Sequence, residues 1–140
     1  MAEAFFLDTN IFVYAATDDD PAKASVASSL VRRALSTHKG VVSFQVVQEF
    51  FNVAFKRFAP RMSPAESEAY IDGVFLPMLR IHSSASLYIE ALALYRKHSL
   101  AWYDSLIVSA ALQAECAILY SEDMQHGQRF GALQVRNPFL

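Results

Sequence analysis

Apolar residues come in short unbroken runs, separated by longer stretches with helical spacing. Residues 4–8 run apolar and end on an acid (Ala4-Phe5-Phe6-Leu7-Asp8). Val41-Val42-Ser43 and residues 78–82, 117–120 and 133–136 are the other short runs. Runs of this length without polar alternation suit strands buried on both faces. Between them, Val26, Leu30, Val31, Ala34 and Leu35 share one face of a helix predicted over 22–38. Asp20 is its expected N-cap, Pro21 its first residue, and Lys39-Gly40 its end. Phe44 to Phe58 reads as a helix closed by Pro60. Ser63-Pro64-Ala65-Glu66 has capping-box spacing and opens a helix over 64–75. Further helices are expected over 10–16, capped by Thr9 or Asn10, and over 84–98 and 103–114. Strands that alternate with helices predict an α/β fold. Its central sheet is mainly parallel, has about five short strands and is covered on both faces, with right-handed crossovers.

Composition narrows this picture. A chain of 140 residues suits a single domain, 1–140, that buries a core without disulfides. The 54% hydrophobic and 19% charged fractions exclude a disordered chain. Eleven Phe and six Tyr exceed what a small interior needs, which predicts a core plus an apolar interface. A net charge of −2 argues against a general nucleic-acid binder but leaves room for local basic patches. The lone Cys116 excludes an intrachain disulfide, fits a reducing compartment and reads as a buried thiol. No secretory signal and no bilayer-spanning run is visible, so a cytoplasmic location without membrane contact is expected. No Gly-rich phosphate loop, CxxC pair or Ser-His-Asp pattern is present.

The candidate chemistry lies in four acids. Asp8 ends the first strand and Asp123 follows a later one. Glu49 lies early in the helix after the second strand, and Asp104 opens another helix. Each has an ordinary alternative as a turn, cap or solvated helix residue. In an open parallel sheet, however, ligands bind outside the carboxyl ends of the strands, and all of these positions project to that edge. Carboxylates gathered there repel one another and take up protons unless a cation offsets them. One or two Mg²⁺ or Mn²⁺ ions are the expected cofactor, and metal-assisted phosphodiester hydrolysis the expected chemistry. Asn10 and Ser121 are polar groups placed to support the acids or a water. Asp18-Asp19-Asp20 reads as a helix start in preference to a second metal site, and His126 as a surface or substrate-side residue.

The motifs that carry these acids resemble PIN-domain ribonucleases, and within them VapC-type toxins. They are Leu7-Asp8-Thr9-Asn10-Ile11, Gln48-Glu49-Phe50-Phe51-Asn52, Trp102-Tyr103-Asp104-Ser105-Leu106-Ile107 and Leu119-Tyr120-Ser121-Glu122-Asp123-Met124-Gln125-His126-Gly127. The resemblance spans nearly the whole chain. It implies a three-layer α/β/α fold, with Asp8, Glu49, Asp104 and Asp123 as catalytic, metal-holding residues and Asn10 and Ser121 behind them. It implies endoribonuclease activity on structured or translation-related RNA, restrained by an antitoxin, and a homodimer. Glu122 is an alternative or assistant to Asp123 in placing water; Asp123 matches the family position. Lys56, Arg57 and Arg61, with Arg32-Arg33, are candidate RNA contacts or ordinary solvated residues. Phe50, Phe51, Phe55 and Phe58, near helical spacing, read as core with part of the stripe left for a partner groove. The alternatives are a non-catalytic binding module and a single-strand DNA nuclease.

Overall fold

The computed structural model describes residues 3–140. The elements in order are β1 (Phe5–Leu7), α1 (Thr9–Ala15), α2 (Pro21–Thr37), β2 (Gly40–Ser43), α3 (Phe44–Lys56) and α4 (Pro64–Tyr70). A π-helical stretch, Ile71–Phe75, continues α4 into the short α5 (Leu76–Met78). Then come β3 (Leu79–Ile81), α6 (Ala85–His98), α7 (Trp102–Gln113), β4 (Ile118–Tyr120), β5 (Arg129–Phe130) and β6 (Leu133–Arg136). Every residue of β1 and β2 is buried, as unbroken apolar runs in a covered parallel sheet require.

The sheet order is β3-β2-β1-β4-β6-β5, parallel throughout except for the β5–β6 pair. The chain steps from β1 to β2 to β3 in one direction, then jumps back across to β4. Right-handed crossovers made in opposite directions place their helices on opposite faces. Helices α1, α2 and α3 accordingly pack together, while α6 packs on α7. Connections leave β1 and β4 in opposite directions, so a crevice opens between the carboxyl ends of these paired neighbours.

Local signals placed most elements. Asp20 caps α2 through its side chain, with Pro21 behind it, and Ser63 and Glu66 form the capping box. Three expectations need correction. The cap of α1 is Asp8, not Thr9 or Asn10, because the chain turns into helix directly at the strand end. The helix expected over 64–75 is regular only to Tyr70. The sheet has a sixth strand, β5, joined to β6 by Gly131-Ala132, with Gly131 left-handed at φ 60°. A two-residue strand is too short to show any periodicity.

The aromatic stripe on α3 is mainly core. Phe50 is fully buried against Tyr70 (4.8 Å between centroids), Phe51 and Phe75 (each 5.2 Å) and Phe58 (5.8 Å). Only Phe55 of that stripe is exposed. Exposed apolar side chains gather instead on α6, at Tyr88, Ile89, Leu92 and Tyr95, and continue to Trp102 and Tyr103, with Val26, Leu76 and Leu140 exposed elsewhere. Ile89, 71% exposed, points fully outward.

Gly40 starts β2 where α2 comes closest to the sheet. A Cβ there would lie 2.2 Å from Ala34 Cβ and 2.9 Å from its Cα. Gly40→Ala is therefore expected to cost about 1–3 kcal/mol through overpacking. Thermal melting checks this, and an unchanged melting temperature would contradict the close approach.

Candidate metal centre

The site is built from hydroxyl groups that join the acids in pairs. Asp8, 6% exposed, is both the end of β1 and the N-cap of α1. Its Oδ1 accepts the Thr9 N–H at 2.8 Å and its Oδ2 accepts the Ser121 hydroxyl at 2.8 Å. Ser121 sits just beyond β4 and is wholly buried; its Oγ also accepts the Asp123 N–H at 3.2 Å. One hydroxyl thus fixes Asp8 and the turn carrying Asp123. Thr9 does the same on the other side, donating its hydroxyl to Glu49 Oε1 at 2.7 Å. Asn10 donates from Nδ2 to Asp123 Oδ2 at 3.1 Å.

Asp104, half-buried, lies in the first turn of α7. Gln45, one turn before Glu49 on α3, donates from Nε2 to the Tyr103 carbonyl at 3.3 Å and so ties the starts of the two helices together. From the sequence Thr9 is expected only as a helix cap, and Gln45 is not singled out. Thr9 adjoins Asp8 in the sequence, but nothing local indicates that its hydroxyl meets Glu49.

The electrostatics link the same four acids. Burial raises the Asp8 carboxyl from 3.8 to about 7, with the charges of Asp123 and Glu49 adding to it and the Ser121 and Thr9 hydrogen bonds opposing it. Burial, then Asp123 and Glu49, also raise Asp104. Asp123, whose side chain reaches solvent, is raised by partial burial, then by Glu122 and Glu49. Among the described residues the only salt bridge joins Lys23 to Glu122, so none of the four acids has a cationic side-chain partner. Nor do any three His, Cys, Asp or Glu side chains there converge as a ready-made ion cage. The arrangement is an acidic crevice with a deficit of positive charge.

The other candidates fall elsewhere. Lys56 and Arg57 end α3, about 10 Å along the helix from Glu49 and away from the crevice edge. Arg61 folds back to donate to the Phe55 and Lys56 carbonyls at 3.1 and 2.9 Å. Arg33 donates to Tyr120 Oη at 2.8 Å and stacks over Phe5, while Arg32 is exposed. His126 Nδ1 accepts the Asn137 N–H at 3.0 Å. Asp20 is occupied as a cap, accepting the Lys23 N–H at 3.2 Å. Cys116 is buried, and burial pushes its thiol up to about 12, which makes it inert.

Fold and site together define a class: an α/β protein with a carboxylate crevice at the switch point of a parallel sheet. Residues 5–128 match the PIN domain model, and the chain belongs to the PIN domain family. Among solved structures it is similar to a toxin–antitoxin complex from Klebsiella pneumoniae, at 17% identity over 96% of this chain and 97% of that one, with a TM-score of 0.66. It is similar to VapC20 of Mycobacterium tuberculosis, a sarcin-ricin loop cleaving toxin, at 17% identity, coverage of 84% and 88%, and a TM-score of 0.62. It is also similar to DNA-bound VapBC from Salmonella typhimurium, at 17% identity, coverage of 96% and 98%, and a TM-score of 0.61. These likenesses establish the fold. No curated protein matches the chain.

Proposed function

We propose that the chain is a Mg²⁺- or Mn²⁺-dependent endoribonuclease, acting in the cytoplasm as the toxin of a toxin–antitoxin pair. The observation that carries this reading is the gathering of Asp8, Glu49, Asp104 and Asp123 in one crevice with no cationic side chain to offset them. The donors are hard oxygens: carboxylates, backed by the Thr9 and Ser121 hydroxyls. That set suits Mg²⁺ or Mn²⁺. Mg²⁺ keeps several waters and takes only one or two protein carboxylates, so acids that do not close into a cage still fit it.

When bound, such an ion polarises a phosphate oxygen and lowers the pKa of a coordinated water. The chain's own groups supply the orientation. Ser121 and the Thr9 N–H lock both oxygens of Asp8, Thr9 holds Glu49, and Asn10 holds Asp123. Asp104 faces them from the first turn of α7, where a helix N-terminus favours an anion.

Similarity to a sarcin-ricin loop cleaving toxin favours translation-related RNA as substrate. Similarity to toxin–antitoxin assemblies favours an antitoxin partner. The exposed face of α6 is the surface on which a second copy would bury apolar area, as a homodimer requires. Lys56 and Arg57 remain candidate RNA contacts, with Arg61 already engaged in closing α3. No helix among the described residues is long and apolar enough to cross a membrane.

The test is cleavage of total tRNA and ribosomal RNA with Mn²⁺ or Mg²⁺, beside EDTA and Asp104→Asn controls. Discrete fragments, lost in both controls, are expected. Cleavage of single-stranded DNA in preference to RNA would assign a DNA nuclease instead. A folded chain that binds no Mn²⁺ would be a non-catalytic binding module.

A further inference from the structure

Glu122 adjoins Asp123 in the sequence, yet its carboxylate belongs to another set of contacts. Its Oε2 lies 2.9 Å from Lys23 Nζ, and its Oε1 accepts the Tyr14 hydroxyl at 2.5 Å. Lys23 also donates to Tyr14 Oη at 3.3 Å. The same ammonium lies over the Tyr14 ring at 4.9 Å and the Phe139 ring at 5.3 Å, and Phe139 meets Tyr14 edge-on at 5.1 Å. Side chains from α1, α2, the β4 turn and residue 139 thus close around one carboxylate. Glu122 is only 17% exposed in this pair, and a charge-assisted pair with hydroxyl and aromatic support is held in one geometry.

Asn10 lies between this lock and the acidic crevice. An amide nitrogen carries two hydrogens. Asn10 Nδ2 stands 3.1 Å from Asp123 Oδ2 and 3.5 Å from Glu122 Oε1, with an acid on each side. Pinned, Glu122 shares this donor with Asp123 and holds the longer of the two contacts; an unpinned Glu122 would be free to take the donor over and to bring its negative charge further into the crevice.

We propose that Lys23 and Tyr14 pin Glu122 as a positioning residue, which keeps it out of the crevice and turns the Asn10 amide so that Asp123 alone faces the metal from this turn. This rests on the metal-nuclease reading above. Lys23 then acts through Glu122, not through RNA phosphate. Loss of Lys23 leaves the glutamate charge unpaired beside Asp123, and groups that orient metal-holding residues in this way cost about 10–100-fold when removed.

The test compares Lys23→Met, Glu122→Gln and the double variant in the full chain. Lys23→Met is expected to lower Mn²⁺ affinity and kcat about tenfold, with most of the effect outside KM for RNA. The double variant is expected to regain most of the loss. Glu122→Gln removes the charge that Lys23→Met strands, and the amide carbonyl it introduces still accepts from Tyr14 and Asn10. A double variant as impaired as Lys23→Met would assign Lys23 to the RNA and overturn the proposal. Glu122→Gln as damaging as Asp123→Asn would make Glu122 a metal ligand and overturn it equally.

A second readout needs no activity. The Asn10 side-chain amide signal in a ¹⁵N correlation spectrum of the metal-free chain, assigned by its loss in Asn10→Asp, is expected to move in Lys23→Met and return in the double variant. An unmoved signal would overturn the link whether or not the wild type cleaves RNA. A moved signal in a chain that neither binds Mn²⁺ nor cleaves RNA would sustain the lock and remove the metal-nuclease reading.

Discussion

Asp8→Asn is expected to abolish RNA cleavage and, at pH 7 without metal, to make the protein more stable. The two effects have one cause. Asp8 is held almost out of water, near the charges of Asp123 and Glu49, so its ionised form is costly. Asparagine is close in shape and carries no charge. Its carbonyl oxygen still accepts the Thr9 N–H, and its amide can donate to Ser121 Oγ, which turns its own proton elsewhere. The apo protein therefore sheds a buried like charge and keeps the Thr9 hydrogen bond, with the Ser121 contact reversed at some cost to the buried Ser121 proton. A gain of about 1–3 kcal/mol is expected, the usual scale for removing such a penalty. The loss of activity should be at least about 100-fold, above what groups merely behind a metal ligand cost. This is the familiar conflict between a strained functional group and stability. Thermal melts in EDTA and RNA cleavage in Mn²⁺ check the two halves. A variant that melts lower and cleaves as wild type would remove Asp8 from the site.

The second large effect is a pH dependence that metal reverses. The Asp8 pKa is raised in the folded chain, from 3.8 to about 7. A raised carboxyl contributes stability that is complete below the unfolded value and is lost as pH rises through the folded one. Between about pH 4 and pH 7 the folded state binds the extra proton, so metal-free stability should fall across that window. Asp104 and Asp123 are shifted in the same direction and reinforce it. Glu66, lowered by its capping box with Ser63, has the opposite sign and acts at the acid end. For Asp8 the span is 7 − 3.8, about 3 pH units, which sets a ceiling of about 4 kcal/mol. A divalent ion needs the ionised carboxylate, so Mn²⁺ affinity should rise about tenfold per pH unit below 7 and level off above it, with protons released on binding. Calorimetric Mn²⁺ titrations from about pH 5 to 8, in buffers of different ionisation heat, measure both. A flat affinity across this range would contradict a buried, protonated Asp8.

Much of this was legible in the residues themselves. Unbroken runs such as Phe5-Phe6-Leu7 and Val41-Val42 require strands covered on both faces, and helices alternating with them require parallel pairing. From that alone Asp8 and Asp123 belong at the carboxyl edge. The caps at Asp20 and Ser63 were equally plain, because capping depends on groups within one helical turn. All of these are short-range effects, and they leave short-range patterns.

What the tertiary structure decided are the pairings between distant segments. No pattern around Ser121 announces that its hydroxyl meets Asp8, 113 residues away, or that Thr9 meets Glu49 across 40. The Phe50 stripe could be assigned to core only once Tyr70 and Phe75 packed against it. Glu122 shows the difference most clearly. Beside Asp123 in the sequence it reads as a second acid for the same task. Lys23, 99 residues earlier, draws it into another set of contacts. Periodicity reports which face of an element is buried, because that depends on each element's own spacing. Which hydroxyl or ammonium meets a given carboxylate depends on strand order and crossover direction, and these are set by the packing of the whole chain.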